Sequence, residues 1–194
     1  MSQNKIWFKN CLENKNLISK IEKIKLIITD VDGALTDGYI YITPDRADTV
    51  SKKFSVQDGF AMSEALKNNL IRIAFLSGRN DVVTKIRAKM LGIPDDMCII
   101  GSTNKPEKIK TLQKDYKISK EETLHFGDDF LDYQVKDVVS IFACPDNTPF
   151  YIKHAADLLI PKKSNNNAFR LLLDLILYVQ KKHFVQELIT KSLE

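Results

Sequence analysis

Apolar residues in this chain fall into short runs, each closing on a cluster of polar side chains. The run Lys25-Leu26-Ile27-Ile28-Thr29 is β-branched and apolar on both faces, which predicts a buried parallel strand, and it ends in Asp30-Val31-Asp32-Gly33. A second run over residues 71–76 leads into Ser77-Gly78-Arg79. Further strands are predicted over 98–100, 123–126, 140–143 and 158–160. Helical spacing marks about 59–68, 81–90, 105–116, 130–136 and 168–182. Alternation of this kind predicts an α/β fold, a doubly wound, Rossmann-like parallel sheet flanked by helices. Residues 39–42 and 49–56 instead alternate apolar and polar positions around Pro44 and Asp45, the pattern of a β-hairpin projecting from the sheet. Leu17, Ile18 and Ile21 have the spacing of a short amphipathic helix. The chain thus divides into an N-terminal extension (1–23), one domain (24–182) and a C-terminal helical tail (183–194).

Composition narrows the partners. With 194 residues the chain suits one domain, and 44% apolar against 28% charged residues predicts a folded domain, not a disordered one. The net charge of +4 is spread along the chain, so a nucleic-acid-binding block is missing, and the mild excess fits an anionic small molecule equally well. Cys11, Cys98 and Cys144 are odd in number and include no CxxC pair. This argues against a disulfide framework or a zinc site and for a reducing cytoplasm. The most apolar stretch, 171–179, is short and interrupted by Asp174, so no membrane segment is expected.

In open parallel sheets ligands bind beyond the carboxyl ends of the strands, so the polar residues after each run form the candidate site. Asp30 and Asp32 are two apart in near-extended backbone, which directs two carboxyl groups toward one reacting centre. Asp30 is expected to attack phosphorus, with Asp32 handling the proton of the leaving oxygen. Clustered carboxylates call for a hard cation, here Mg²⁺, with Asp30, Asp32 and Asp128 of Gly127-Asp128-Asp129 as its ligands. Ser77 and Lys105 are expected to hold phosphate oxygens. Asp129 is expected to support the site or to cap the next helix. His125 falls inside a predicted buried strand, where a hydrogen-bonded core role is expected.

The set Asp30-Val31-Asp32-Gly33, Ser77, Lys105 and Gly127-Asp128-Asp129 resembles the four motifs of the haloacid dehalogenase superfamily of phosphotransferases over about residues 24–180. Adding Thr36-Asp37-Gly38, Val56-Gln57-Asp58-Gly59, Leu91-Gly92-Ile93 and Asn104-Lys105, the chain most resembles the capless branch that includes the 3-deoxy-D-manno-octulosonate 8-phosphate phosphatases. The interval from Asp30 to Ser77 has room for a hairpin and a helix but not for a large cap domain. The resemblance implies a Mg²⁺-dependent phosphatase of lipopolysaccharide biosynthesis, acting on a phosphorylated sugar acid through an aspartyl-phosphate intermediate. It also implies a homotetramer in which projecting hairpins pack together and a neighbour helps to close the site. Asp58, Gly78, Arg79 and Arg87 match family positions near the substrate, where a guanidinium can clamp a carboxylate. Gln57 stands where close relatives often have Arg, and Ser164-Asn165-Asn166-Asn167 replaces a glycine-rich segment. A nine-carbon nonulosonate 9-phosphate therefore stays open as substrate, and a catalytically silent sugar-phosphate-binding subunit stays open as the rival class.

Overall fold

The computed structural model describes residues 2–41 and 50–194. Six strands, β1 (Leu26–Thr29), β2 (Arg72–Leu76), β3 (Cys98–Ile99), β4 (Thr123–Phe126), β5 (Ile141–Pro145) and β6 (Leu158–Ile160), form one sheet in the order β3-β2-β1-β4-β5-β6. All five pairings are parallel. Because β1 lies between β2 and β4, the chain reverses its direction of travel across the sheet at the β1–β4 boundary. A crevice opens beyond the strand ends at such a switch point.

Helices cover the sheet: α1 (Gln3–Glu13), α2 (Lys15–Ile21), α3 (Val56–Lys67), α4 (Val82–Leu91), α5 (Lys105–Tyr116), α6 (Phe130–Tyr133), α7 (Phe150–Lys153), α8 (Ala168–Val179) and α9 (Gln186–Leu193). Their ends follow local chemistry. Asp81 caps α4 by accepting from the Thr84 N–H, and Gly92 ends that helix at φ +84°. Asn104 caps α5, whose first residue is Lys105. The most apolar helix, α8, buries Phe169, Leu172, Leu173 and Leu175 to Leu177, with Phe169 edge-on to Phe126 at 5.7 Å.

Several boundaries differ from the sequence expectation. Val56 opens α3 instead of closing a strand, because Ser55 accepts from the Asp58 N–H and caps the helix. Of the expected hairpin, Tyr41 and Ser51 form an antiparallel bridge; the positions 42–49, Pro44 and Asp45 included, lie outside the described residues. The short helix expected around Leu17 to Ile21 is α2, and a further helix, α1, precedes it; Asn14 ends α1 and caps α2. Both dock on the domain. Phe8, Cys11, Leu17 and Ile21 are buried, the Phe, Leu and Ile side chains worth roughly 1.5–3 kcal/mol each if fully buried. The Trp7 Nε1–H donates to the Leu159 carbonyl at 2.8 Å, and Gln180 Nε2 donates to the carbonyls of Ile21 and Ile24. No helix among the described residues is long and apolar enough to cross a membrane.

Candidate active site

The site is assembled from the ends of β1, β2 and β4 and the start of α5. Asp30 continues β1 by donating its N–H to the Phe126 carbonyl at 2.8 Å, so the residue that leaves β1 is locked to the end of β4. The loop behind it closes on buried Thr36, whose Oγ1 accepts from the N–H groups of Gly33 and Gly38, each at 3.2 Å. Gly33 sits at φ +95°, and a Cβ there would stand 2.1 Å from Asp128 Oδ2. Glycine is required twice over, for the backbone turn and for the space that the Asp128 carboxylate occupies.

One cleft of about 300 Å³ is lined by Asp30, Asp32, Ser77, Gly78, Arg79, Lys105, Asp128, Asp129, Leu131 and Asp132. Eight residues named from the sequence therefore share one wall system. Lys105 is 1% exposed, and its Nζ donates to Asp30 Oδ1 at 2.6 Å and to Asp132 Oδ1 at 2.5 Å. Burial alone would lower the pKa of this ammonium. The two carboxylates outweigh burial and hold its pKa above the ordinary lysine value. Ser77, also 1% exposed, accepts from the Arg79 N–H at 3.2 Å and lies 3.4 Å from Asp32 Oδ2. Asp129 caps α6 by accepting from the Phe130 N–H at 2.7 Å.

Carboxylates of Asp30, Asp128 and Asp132 converge, each offering an oxygen within 4.8 Å of the others. Burial, then the charge of Asp132, pushes Asp30 up to about 7; burial, then the charge of Asp30, pushes Asp128 up to about 8. Asp128 Oδ1 is buried with no hydrogen-bond partner among the described residues. Converging buried carboxylates with an oxygen left unpartnered suit a hard divalent cation, which takes oxygen ligands and removes the mutual repulsion.

Asp132 was missed by the sequence reading. Its Oδ1 accepts from Lys105 and faces His125 Nε2 at 2.8 Å, and its Oδ2 accepts from the N–H groups of Asp128 at 3.0 Å and Asp129 at 3.2 Å. Burial would raise its pKa, but Lys105 and His125 hold it well below the usual carboxylate range. With its oxygens engaged, Asp132 orients Lys105 and the Asp128 loop, leaving Asp30 and Asp128 as the carboxylates available to a cation. Gly127 makes this possible, since a Cβ there would stand 2.2 Å from Asp132 Cγ. The available signal was the spacing of Asp128 and Asp132, one helical turn apart.

Three residues expected at the site have side chains placed apart from the converging carboxylates. Asp32, expected among the cation's ligands, is outside the converging cluster; its carboxylate lies 2.9 Å from Lys52 Nζ and its Oδ2 is 3.8 Å from Arg79 Nε. Asp58, expected at the substrate, does not line the cleft. It sits in the first turn of α3, 3% exposed, and accepts from the Arg170 N–H at the start of α8 at 2.7 Å. Burial pushes its carboxyl up to about 6 despite that bond. Arg87 shares a separate crevice with Asp58, Phe54 and Ser55, where its Nη2 donates to the Ser55 carbonyl at 3.2 Å and its guanidinium lies 5.4 Å from the Phe54 ring centroid. The missing side chain of Gly59 admits it, for a Cβ there would stand 2.0 Å from Arg87 Nη2.

No protein-family model matches the chain. Among curated proteins it is 33% identical over 166 residues to the 3-deoxy-D-manno-octulosonate 8-phosphate phosphatase of Haemophilus influenzae, covering 86% of this chain and 89% of that one. A solved structure of such a phosphatase from Moraxella catarrhalis, in complex with a magnesium ion, a phosphate ion and the sugar acid, superposes with a TM-score of 0.81. It is 30% identical, and the match covers 93% of this chain and 100% of that one. The cobalt-bound form of the Haemophilus influenzae phosphatase superposes with a TM-score of 0.79 at 30% identity, covering 89% and 99%.

Proposed function

The chain belongs to the 3-deoxy-D-manno-octulosonate 8-phosphate phosphatase family of the haloacid dehalogenase superfamily, and we propose that it hydrolyses the phosphate monoester of that eight-carbon sugar acid, with Asp30 as nucleophile. The observation that carries this reading is the meeting of Asp30, Lys105 and Asp128 at the switch point of the sheet, with Asp128 Oδ1 buried and unpartnered among the described residues. A catalytically silent binding subunit has no need of such a cluster.

In the first step an Asp30 carboxylate oxygen forms a bond to phosphorus while the bond from phosphorus to the sugar oxygen breaks. Asp32 gives its proton to the departing alkoxide. In the second step Asp32 takes a proton from water, the water oxygen attacks phosphorus, and the acyl-phosphate bond breaks to return Asp30 and inorganic phosphate. Lys105 steers the Asp30 carboxylate through the 2.6 Å bond and presents positive charge to the phosphoryl oxygens, and Ser77 offers them a hydroxyl donor. Mg²⁺ held by Asp30 and Asp128 would neutralise charge on the transferring group. Gly78 and Arg79 line the same cleft and are assigned to the substrate, with the Arg79 guanidinium, 43% exposed, directed to the sugar carboxylate.

The cleft is open. Tyr39 and Tyr41, 70% and 54% exposed, offer an apolar hairpin surface through which a homotetramer would supply the missing cover. The protein is assigned to the cytoplasm, consistent with its three free cysteines, and to lipopolysaccharide precursor synthesis. Phosphate release from the eight-carbon substrate with added Mg²⁺, repeated with Asp30→Asn, tests the reading. Turnover that is lost in the variant supports it, and undiminished release refutes it. Faster turnover of a nine-carbon 9-phosphate in the same panel would transfer the assignment to that substrate.

A further inference from the structure

Lys52 follows Ser51, which bridges Tyr41 in antiparallel fashion, and its side chain is wholly buried. Its Nζ donates to Asp81 Oδ2 at 2.6 Å and to Thr84 Oγ1 at 3.0 Å, and it lies 2.9 Å from the Asp32 carboxylate. An ammonium has three N–H groups, so these three partners saturate it. A lysine serving only to pin its own segment to α4 needs Asp81 and Thr84 alone. The third bond goes to the one carboxylate to which the mechanism gives the leaving-group proton.

Asp32 is also the acidic residue of the cleft's β1 end that stays out of the converging cluster, although it is only two positions from Asp30. Lys52 at 2.9 Å and Arg79 at 3.8 Å both attract it to the β2 side of the cleft, where Ser77 Oγ lies 3.4 Å away. A short flexible carboxylate beside a divalent cation would otherwise be drawn toward it, since such ions accept six or more oxygen ligands.

We propose that Lys52 is a positioning residue for proton transfer, holding the Asp32 carboxyl clear of the cation and beside the path of the leaving oxygen. The proposal rests on the reading of Asp32 as the proton carrier. The three N–H groups of Lys52 are taken by Asp32, Asp81 and Thr84, so its loss is expected to act on the chemical step and not on substrate affinity.

Leaving-group dependence provides the test. An alkoxide needs a proton as it departs, whereas the p-nitrophenolate of p-nitrophenyl phosphate leaves without one. In Lys52→Met, kcat for the sugar phosphate is expected to fall at least about tenfold, part of the roughly 10²–10⁴ that general acid–base catalysis contributes, with KM within about twofold. Turnover of the aryl phosphate should hold within about threefold. Lys52→Gln, which keeps a neutral donor, should recover part of the loss, and it replaces Lys52→Met should that variant not fold. The Lys52→Met/Asp32→Asn double variant should be no slower on the sugar phosphate than Asp32→Asn alone.

Equal losses on both substrates, matched by Asp81→Asn, would reduce Lys52 to a structural pin and overturn the proposal. Failure of the underlying reading looks different. In that case Asp32→Asn itself shows no preference between the two leaving groups, whereas failure of the proposal alone leaves that preference in Asp32→Asn and removes it only from the Lys52 variants.

Discussion

Binding of Mg²⁺ should expel protons, and the count follows from the two buried carboxyls. Asp30 is pushed up to about 7 and Asp128 up to about 8, in both cases first by burial and then by a neighbouring carboxylate. The charge of Asp30 raises Asp128, so the pair titrates as a unit and still holds on the order of one proton at pH 7 in the metal-free protein. A cation needs both as carboxylates, so each ion bound releases on the order of one proton at that pH. The count should climb toward two below about pH 6 and vanish above about pH 9. Isothermal titration calorimetry in buffers of differing ionisation enthalpy reads it directly. Linkage also fixes the sign of the stability change. Both groups bind protons more tightly folded than unfolded, so the metal-free protein loses stability as pH rises from about 4, the ordinary carboxyl value, through about 8. Added Mg²⁺ should therefore raise the melting temperature more at pH 8 than at pH 5.5. Buffer-independent heats from pH 6 to 9, with an affinity that does not change, would refute the claim that these two carboxyls form the cation site.

Two further outcomes follow from the packing around that site. Asp132→Ala leaves a buried ammonium and two backbone N–H groups short of a partner; it should cost about 3–5 kcal/mol in urea unfolding, and a loss under about 1 kcal/mol would show that Asp132 is not the anchor of Lys105. Gly33→Ala drives a Cβ into the Asp128 carboxylate and should weaken Mg²⁺ binding about 10–100-fold. Gly92→Ala, at φ +84° with nothing within 4 Å, should cost stability while sparing Mg²⁺ affinity, and equal affinity losses in both would sink the steric argument.

Strand ends were the legible part of this chain. A parallel strand buried on both faces writes itself as an apolar run, and β1, β2 and β4 each deliver their next polar residue to the same crevice, so Asp30, Ser77 and Asp128 could be named before any coordinate. What the pattern hid was chemistry carried by residues in ordinary-looking surroundings. Asp132 reads as one more polar position on a short helix, and only the backbone of Gly127 and the reach of Lys105 turn it inward. Lys52 sits beside Lys53 in a charged stretch, and its burial depends on Asp81 and Thr84, which are distant in sequence. Asp58 lies away from the cleft for the opposite reason. It follows a family motif, yet Ser55 three residues earlier already carried the helix-capping signal that sends it against α8. Arg87 likewise follows a matched position, but the gap left by Gly59 and the ring of Phe54 hold it in the neighbouring crevice.

The claim that Asp30 takes the phosphoryl group is open to direct chemical capture. The purified protein, mixed with Mg²⁺ and the eight-carbon sugar phosphate, is quenched in acid within the first turnover, digested, and its peptides are weighed. The account predicts one peptide, the one spanning Asp30, heavier by a single phosphoryl group that hydroxylamine removes, and no such species from Asp30→Asn. Rapid phosphate release with every peptide unmodified at all quench times, or with the label on a different residue, would contradict it.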